Sequence, residues 1–213
     1  SAQPFDCELY GDASRTRRPM RRGTAPLAEM GARIETTAKG TPPLCIRGGR
    51  RLHGIHYRMP VASAQVKSAL LLAGLYAEGE TCVSESAPTR DHTERMLAAL
   101  GCHARRGNGT VCIQGGARLR GTRIDVPADI SSAAFFMVGA AIAPGSDLLL
   151  PRIGINPTRT GVLNILRLMG ADIAVNNERM LGGEPVADLR IRGGRLHGID
   201  IPQDQVALAI DEF

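Results

Sequence analysis

Three short polar stretches of this chain carry residue types that grip anions. Arg18 precedes Pro19 at the head of a helix-like segment. A helix N-terminus attracts anions through its free N–H groups and dipole, and a guanidinium beside it adds a two-pronged donor. Ser63, Ala64 and Gln65 follow Pro60 at the start of a second such segment. A short hydroxyl side chain there caps the helix while hydroxyl and amide groups still face outward. Arg90 stands before Asp91-His92-Thr93-Glu94, which reads as a capped helix start with an acidic first turn. Each stretch also has a plainer reading. Arg18 is one of five arginines between positions 15 and 22, the pattern of a solvated basic face. Ser63 reads equally as an ordinary cap, and Arg90 as a surface partner of Asp91 or Glu94. His92, in a first helical turn, reads as surface.

The totals narrow the chemistry. The chain has 213 residues and a formal charge of +5, and Lys39 and Lys67 are its only lysines. Arginine forks suit carboxylates and phosphates. A pI near 9.3 also permits a nucleic-acid partner, but such a partner usually needs stacking aromatics beside the arginines. Aromatics are 3% and tryptophan is absent, so Leu, Ile, Val, Ala and Met must fill the core. No apolar run reaches the length of a membrane span, and the first residues lack a basic-then-apolar signal pattern. Five cysteines, at positions 7, 45, 82, 102 and 112, show no CxxC or Cys/His ligand spacing. They are expected to be free thiols in a reducing cytoplasm.

The elements that position these groups follow a repeat. Leu44-Cys45-Ile46-Arg47-Gly48-Gly49 recurs as Val111-Cys112-Ile113-Gln114-Gly115-Gly116 and as Leu189-Arg190-Ile191-Arg192-Gly193-Gly194. Each copy runs into a similar tail, Leu52-His53-Gly54, Leu119-Arg120-Gly121 and Leu196-His197-Gly198. A helix end precedes each copy, at Gly31, Gly101 and Gly170, spaced by 70 and 69 residues. A fixed period near this length marks a repeated supersecondary unit.

Periodicity and punctuation give its content. Strands are expected at 5–9, 32–37 and 44–47, with a helix at 19–30. A full unit follows: strand 55–59, helix 62–76, strand 81–85, helix 91–100, strands 102–105 and 110–113, with a turn at Asn108-Gly109. The next unit has strand 122–126, helix 131–143, strand 147–150, helix 158–169 and strands 172–175 and 188–191. A third opens with strand 199–201 and a helix from Gln205. The unit is βαβαββ, and the fold class is α/β (α+β). The Arg-Gly-Gly stretches read as tight turns, since strands rather than helices follow them. Pro151 to Pro157 is the expected domain crossing, and Asn156, Thr158 and Arg159 read as helix initiation after Pro157. A chain that stops inside an apolar helix is expected to be a piece of a longer protein.

Specific motifs then set a resemblance. Gly11-Asp12-Ala13-Ser14 with Arg18-Pro19-Met20, Ala62-Ser63-Ala64-Gln65-Val66-Lys67-Ser68-Ala69, Thr89-Arg90-Asp91-His92-Thr93-Glu94, Asn156-Pro157-Thr158-Arg159-Thr160-Gly161 and Ile210-Asp211-Glu212 occur in one order across nearly all of the chain. With them the chain resembles the enolpyruvyl transferases, and among these the EPSP synthase family. The Ser-Ala-Gln form is similar to the bacterial subgroup noted for glyphosate tolerance.

The resemblance implies a two-domain inside-out α/β barrel of βαβαββ units, incomplete here. Residues 1–151 would be most of the mid-chain domain, and 152–213 the first part of the other. It implies transfer of the enolpyruvyl group of phosphoenolpyruvate to the 5-hydroxyl of shikimate 3-phosphate by addition and elimination, in aromatic amino-acid biosynthesis. No metal or organic cofactor is implied. The partners would be the two small substrates, with no nucleic acid and no membrane, and the complete enzyme a cytoplasmic monomer. Arg18 would grip phosphoenolpyruvate. Ser63, the backbone at Ala64, and Arg90 would bind shikimate 3-phosphate, with Gln65 between the substrates. Asp211 would be catalytic, contacting the ring hydroxyls and accepting a proton. The family's Lys-Ser segment and its C-terminal Glu, Lys and Arg residues lie outside this sequence, so the chain by itself is expected to lack turnover. The competing expectations are the UDP-N-acetylglucosamine transferase of the same fold, an RNA-associated βα-repeat protein, and a non-catalytic repeat domain.

Overall fold

A computed structural model describes residues 1–212. The chain runs through β1 (Cys7–Leu9), a 3-10 turn (Arg15–Arg17), α1 (Arg21–Glu29), β2 (Arg33–Glu35) and β3 (Leu44–Arg47). It continues through β4 (Leu52–His53), β5 (His56–Arg58), α2 (Ala64–Gly74), β6 (Ala77–Glu78), β7 (Glu80–Ser84), α3 (His92–Ala99), β8 (Arg105–Gly107) and β9 (Thr110–Gln114). After these come α4 (Ile130–Ile142), β10 (Asp147–Gly154), α5 (Gly161–Leu168), β11 (Asp172–Leu181), β12 (Glu184–Arg192), α6 (Gln203–Val206) and a 3-10 turn (Ala207–Ala209).

Two compact units result. Ser1–Thr89 with Leu100–Arg120 form the first, and Arg90–Ala99 with the chain from Gly121 onward form the second. The first unit holds the sheets β1-β3-β2, β4-β6 and β5-β7-β9-β8, and the second holds β10-β12-β11. Among the described residues no sheet closes into a barrel. Among the same residues no helix is long and apolar enough to cross a membrane.

In the first unit α2 lies on the β5-β7-β9-β8 sheet, burying Leu70 and Leu71 with Val83 and Ile113. Gly74 permits the close approach: a Cβ there would stand 2.8 Å from Ile113 Cγ2. The second unit's core packs α4 and α5 on the sheet through Met137, Leu163, Leu166, Leu189 and Ile191. Beyond Ser131 and Ser132 of its first turn, α4 is apolar on every side, and its Phe135 and Phe136 are exposed.

The repeat has a backbone explanation. Gly31, Gly101 and Gly170 end their helices at φ +96°, +84° and +91°, where only glycine is unstrained. Each tail then returns to the preceding helix end. His53, Arg120 and His197 donate their N–H groups to the carbonyls of Met30, Leu100 and Met169 at 2.9, 2.8 and 2.9 Å. The first glycine of each Gly-Gly pair does more than turn the chain. A Cβ on Gly48, Gly115 or Gly193 would fall 2.2, 1.8 and 1.8 Å from the carbonyl oxygens of Phe5, Ala77 and Ala143.

Several expectations need correction. Residues 122–126 and 199–201 form no strand. Near the first, one bridge, Ala128 to Ile153, is made. β5 is a strand because β7 pairs with it; these two segments have no neighbouring ladder to satisfy their backbone. The hairpin of β11 and β12 extends well beyond 172–175 and 188–191, because Gly182 and Gly183, at φ +56° and +86°, form a two-residue turn, with one register shift between Asn176 and Arg179. The cysteines are not all free. Cys82 and Cys112 face each other in the β7–β9 ladder and are joined as a disulfide, whereas Cys7, Cys45 and Cys102 are free.

Candidate active site

The expected site residues fall into two sets, one in each unit. In the first unit, Ser63 is the N-cap of α2, and its Oγ accepts from the Val66 N–H at 3.4 Å. The capping reading is therefore true, and it places Ala64 and Gln65 in the first turn. Gln65 is exposed, and its Oε1 accepts from Arg22 Nη2 at 2.9 Å. Arg18 caps the C-terminal end of the 3-10 turn through its N–H to Arg15 O. It stands before α1 rather than inside its first turn, and its side chain is exposed. Arg22, not Arg18, is the arginine brought onto Gln65.

Lys67 is the group that sequence reasoning missed here. It is 1% exposed, and its Nζ reaches Glu85 Oε1 at 3.3 Å and Thr89 O at 3.5 Å. Thr89 donates in turn to Glu85 Oε2 at 2.6 Å. A buried ammonium requires such partners, and these fix the segment leading to Arg90 against α2. The lysine next to an anion motif was the available signal.

In the second unit, Arg90 Nη2 donates to Asp211 Oδ2 at 2.5 Å. The two come from motifs 121 residues apart. Arg159 approaches the same oxygen at 3.4 Å, bonds Ser131 Oγ at 2.5 Å and pairs with Asp129 at 3.1 Å. Ser131 Oγ also donates to Glu212. Asp129 caps α4 through the Ser131 and Ser132 N–H groups. Burial pushes its carboxyl up, but bonds from the Ser132 hydroxyl and N–H and the charge of Arg159 outweigh this and hold it below the usual carboxylate range. Glycine again sets the approach: a Cβ on Gly161 would stand 2.5 Å from Leu208 C, so α5 seats the turn that carries Asp211. Asn164 fastens that segment through Gln205 at 2.9 Å.

A cavity of about 280 Å³ adjoins this network, lined by His92, Asp129, Asn156, Arg159 and Glu184. His92 is not plain surface: its Nδ1 is 2.8 Å from Glu184 Oε1. Asn156, 2% exposed, donates to Asp91 at 2.8 Å and Glu184 at 3.0 Å, and accepts from the Thr158 N–H and hydroxyl. Asp91 also accepts from Arg95 at 2.8 Å. Burial raises the Glu184 carboxyl, and bonds from His92 and Asn156 more than reverse this, leaving it below its ordinary value. The Asn-Pro-Thr-Arg motif thus forms a turn ahead of α5, whose N-cap is Thr160, rather than starting the helix directly after Pro157 as expected; it also ties α3 to the β11–β12 turn and Arg159 to Asp211.

A mixed α/β chain that brings two arginines onto one carboxylate beside the capped start of α4 has the charge to handle anions. The EPSP synthase (3-phosphoshikimate 1-carboxyvinyltransferase) family profile matches residues 1–212, and the chain belongs to that family. A 3-phosphoshikimate 1-carboxyvinyltransferase of Methylococcus capsulatus is 68% identical over the whole chain, which covers 49% of that relative. The protein of the same name from Alkalilimnicola ehrlichii is 67% identical, with 48% of it covered. The solved EPSP synthase of Acinetobacter baumannii superposes with a TM-score of 0.90 at 60% identity, over all of this chain and 48% of that one. The chain spans about half the length of the relatives it matches.

Proposed function

We propose that this chain supplies part of the site of an enzyme that transfers the enolpyruvyl group of phosphoenolpyruvate to the 5-hydroxyl of shikimate 3-phosphate. Family membership supports the reaction, and the Arg90–Asp211 pair is the observation that carries the residue assignment. A guanidinium set to take a phosphate and a carboxylate set to take a hydroxyl proton are what that reaction needs side by side. In this reading Ser63, Ala64 and Arg90 hold shikimate 3-phosphate, Gln65 lies between the substrates, Arg18 serves phosphoenolpyruvate, and Asp211 accepts the proton.

The complete enzyme is read as a cytoplasmic monomer with small-molecule partners, in which residues 1–151 and 152–213 contribute to different domains. The test is calorimetric titration of shikimate 3-phosphate into this chain. Saturable binding that Arg90→Ala abolishes is expected. Binding of equal affinity in the folded variant overturns the role of Arg90.

A further inference from the structure

We propose that His56, Glu80, Cys82 and Cys112 form a redox-gated zinc site on one face of the β5-β7-β9-β8 sheet. His56 is the register partner of Cys82 across β5–β7, and Cys82 that of Cys112 across β7–β9. Glu80 precedes Cys82 by two residues. Side chains opposite one another, or two apart, share a face of a sheet. One donor atom each from His56, Glu80 and Cys82 already lies within 4.8 Å of the others. Cys112 joins them once the disulfide opens, with its Cα 4.0 Å from that of Cys82. Donors bound to one zinc ion stand roughly 3–4 Å apart, given bonds of about 2.0–2.3 Å, so the cluster needs only to draw in.

Two thiolates, an imidazole and a carboxylate are a borderline-soft tetrahedral set, which selects zinc over magnesium or calcium. Arg105 holds both Glu80 oxygens, at 2.9 and 3.0 Å. When one oxygen turns to the metal, the other stays on Arg105, which then orients the carboxylate. Cys82 and Cys112 are 3% and 4% exposed while His56 is open to solvent, so the ion enters from the β5 edge.

The step balances as follows. A dithiol reductant gives two electrons to the Cys82–Cys112 bond and leaves as its own disulfide. Zinc then displaces the two thiol protons. A coordination cross-link replaces the covalent one, and β5 is added to what it ties.

Cobalt(II) is the probe. The reduced chain is expected to take one equivalent, showing thiolate-to-cobalt charge-transfer absorption and the visible bands of a tetrahedral ion, both abolished by added zinc. The oxidised chain should show neither. Cys82→Ser with Cys112→Ser should lose the charge-transfer band, and His56→Ala should weaken affinity at least about tenfold. Replacing Cys7, Cys45 and Cys102 by serine should leave the spectrum intact, which keeps the test open if the double variant fails to fold. A reduced chain that retains its circular dichroism but gives no thiolate band overturns the site. So does a band that survives in the double variant, or one that disappears with Cys7, Cys45 and Cys102.

Discussion

Asp211 accepts from two arginines that sit on different motifs, and this sharing makes its role testable apart from binding. In the complete enzyme Asp211→Asn keeps the shape and removes the carboxylate proposed above as proton acceptor. The expected result is a kcat lower by about 10²–10⁴ with shikimate 3-phosphate affinity changed far less. Unchanged turnover would assign the base elsewhere. Arg18 and Arg22 divide a second question, because the structure puts Arg22 on Gln65 and leaves Arg18 exposed. Arg18→Ala is expected to raise KM for phosphoenolpyruvate more than for shikimate 3-phosphate. A larger effect from Arg22→Ala would move the role four positions along the chain. At this scale the sequence exposed the anion motifs, because their residue types are unusual together. It hid Lys67, since an isolated lysine reads as surface until its partners are seen. It also hid the Arg90–Asp211 pair, because nothing local relates residues so far apart.

Elements were legible where the signal is local. Left-handed glycines close α1, α3 and α5, and α2, α4 and α5 lie close to their expected spans. Strands 122–126 and 199–201 were misread because composition shows the tendency to extend, whereas a strand exists only with a neighbour. The Cys82–Cys112 bond depends on that same non-local register. The Gly-Gly motif was legible as a turn, but the carbonyl its first glycine makes room for was not. Gly115→Ala places a Cβ on Ala77 O and should cost at least about 2 kcal/mol. Gly139→Ala, inside α4 with nothing within 4 Å, should stabilise by up to about 1 kcal/mol. Urea midpoints of the two variants against the parent check both, and a shift of the same sign in the two would refute the packing argument.

For the molecule as a whole, acid should be destabilising, and the direction follows from its carboxylates. Asp6 is held low by the Gly48 N–H, Glu35 by Arg47, Asp147 by Arg190 and Asp188 by the Arg152 N–H. Asp129 and Glu184 lie low despite burial. Groups whose folded values lie below their unfolded ones stabilise the fold above the unfolded values, about 3.9–4.3, and lose that contribution as pH falls through the folded ones. The urea midpoint should therefore hold steady above about pH 5 and drop below about pH 4. A midpoint that rises on acidification would contradict it.

The path of the chain between the two units has a practical side. Residues 90–99 belong to the second unit, yet the chain returns at Leu100 to give the first unit β8 and β9, and β9 is the inner partner of β7. No single cut separates the units into two contiguous polypeptides. Protein cleaved near Thr89 would keep its halves together until denatured, and expression of residues 1–89 alone would leave β5 and β7 without β9 and β8. A self-sufficient first unit would instead be made by excising 90–99 and splicing Thr89 to Leu100 with a short flexible bridge.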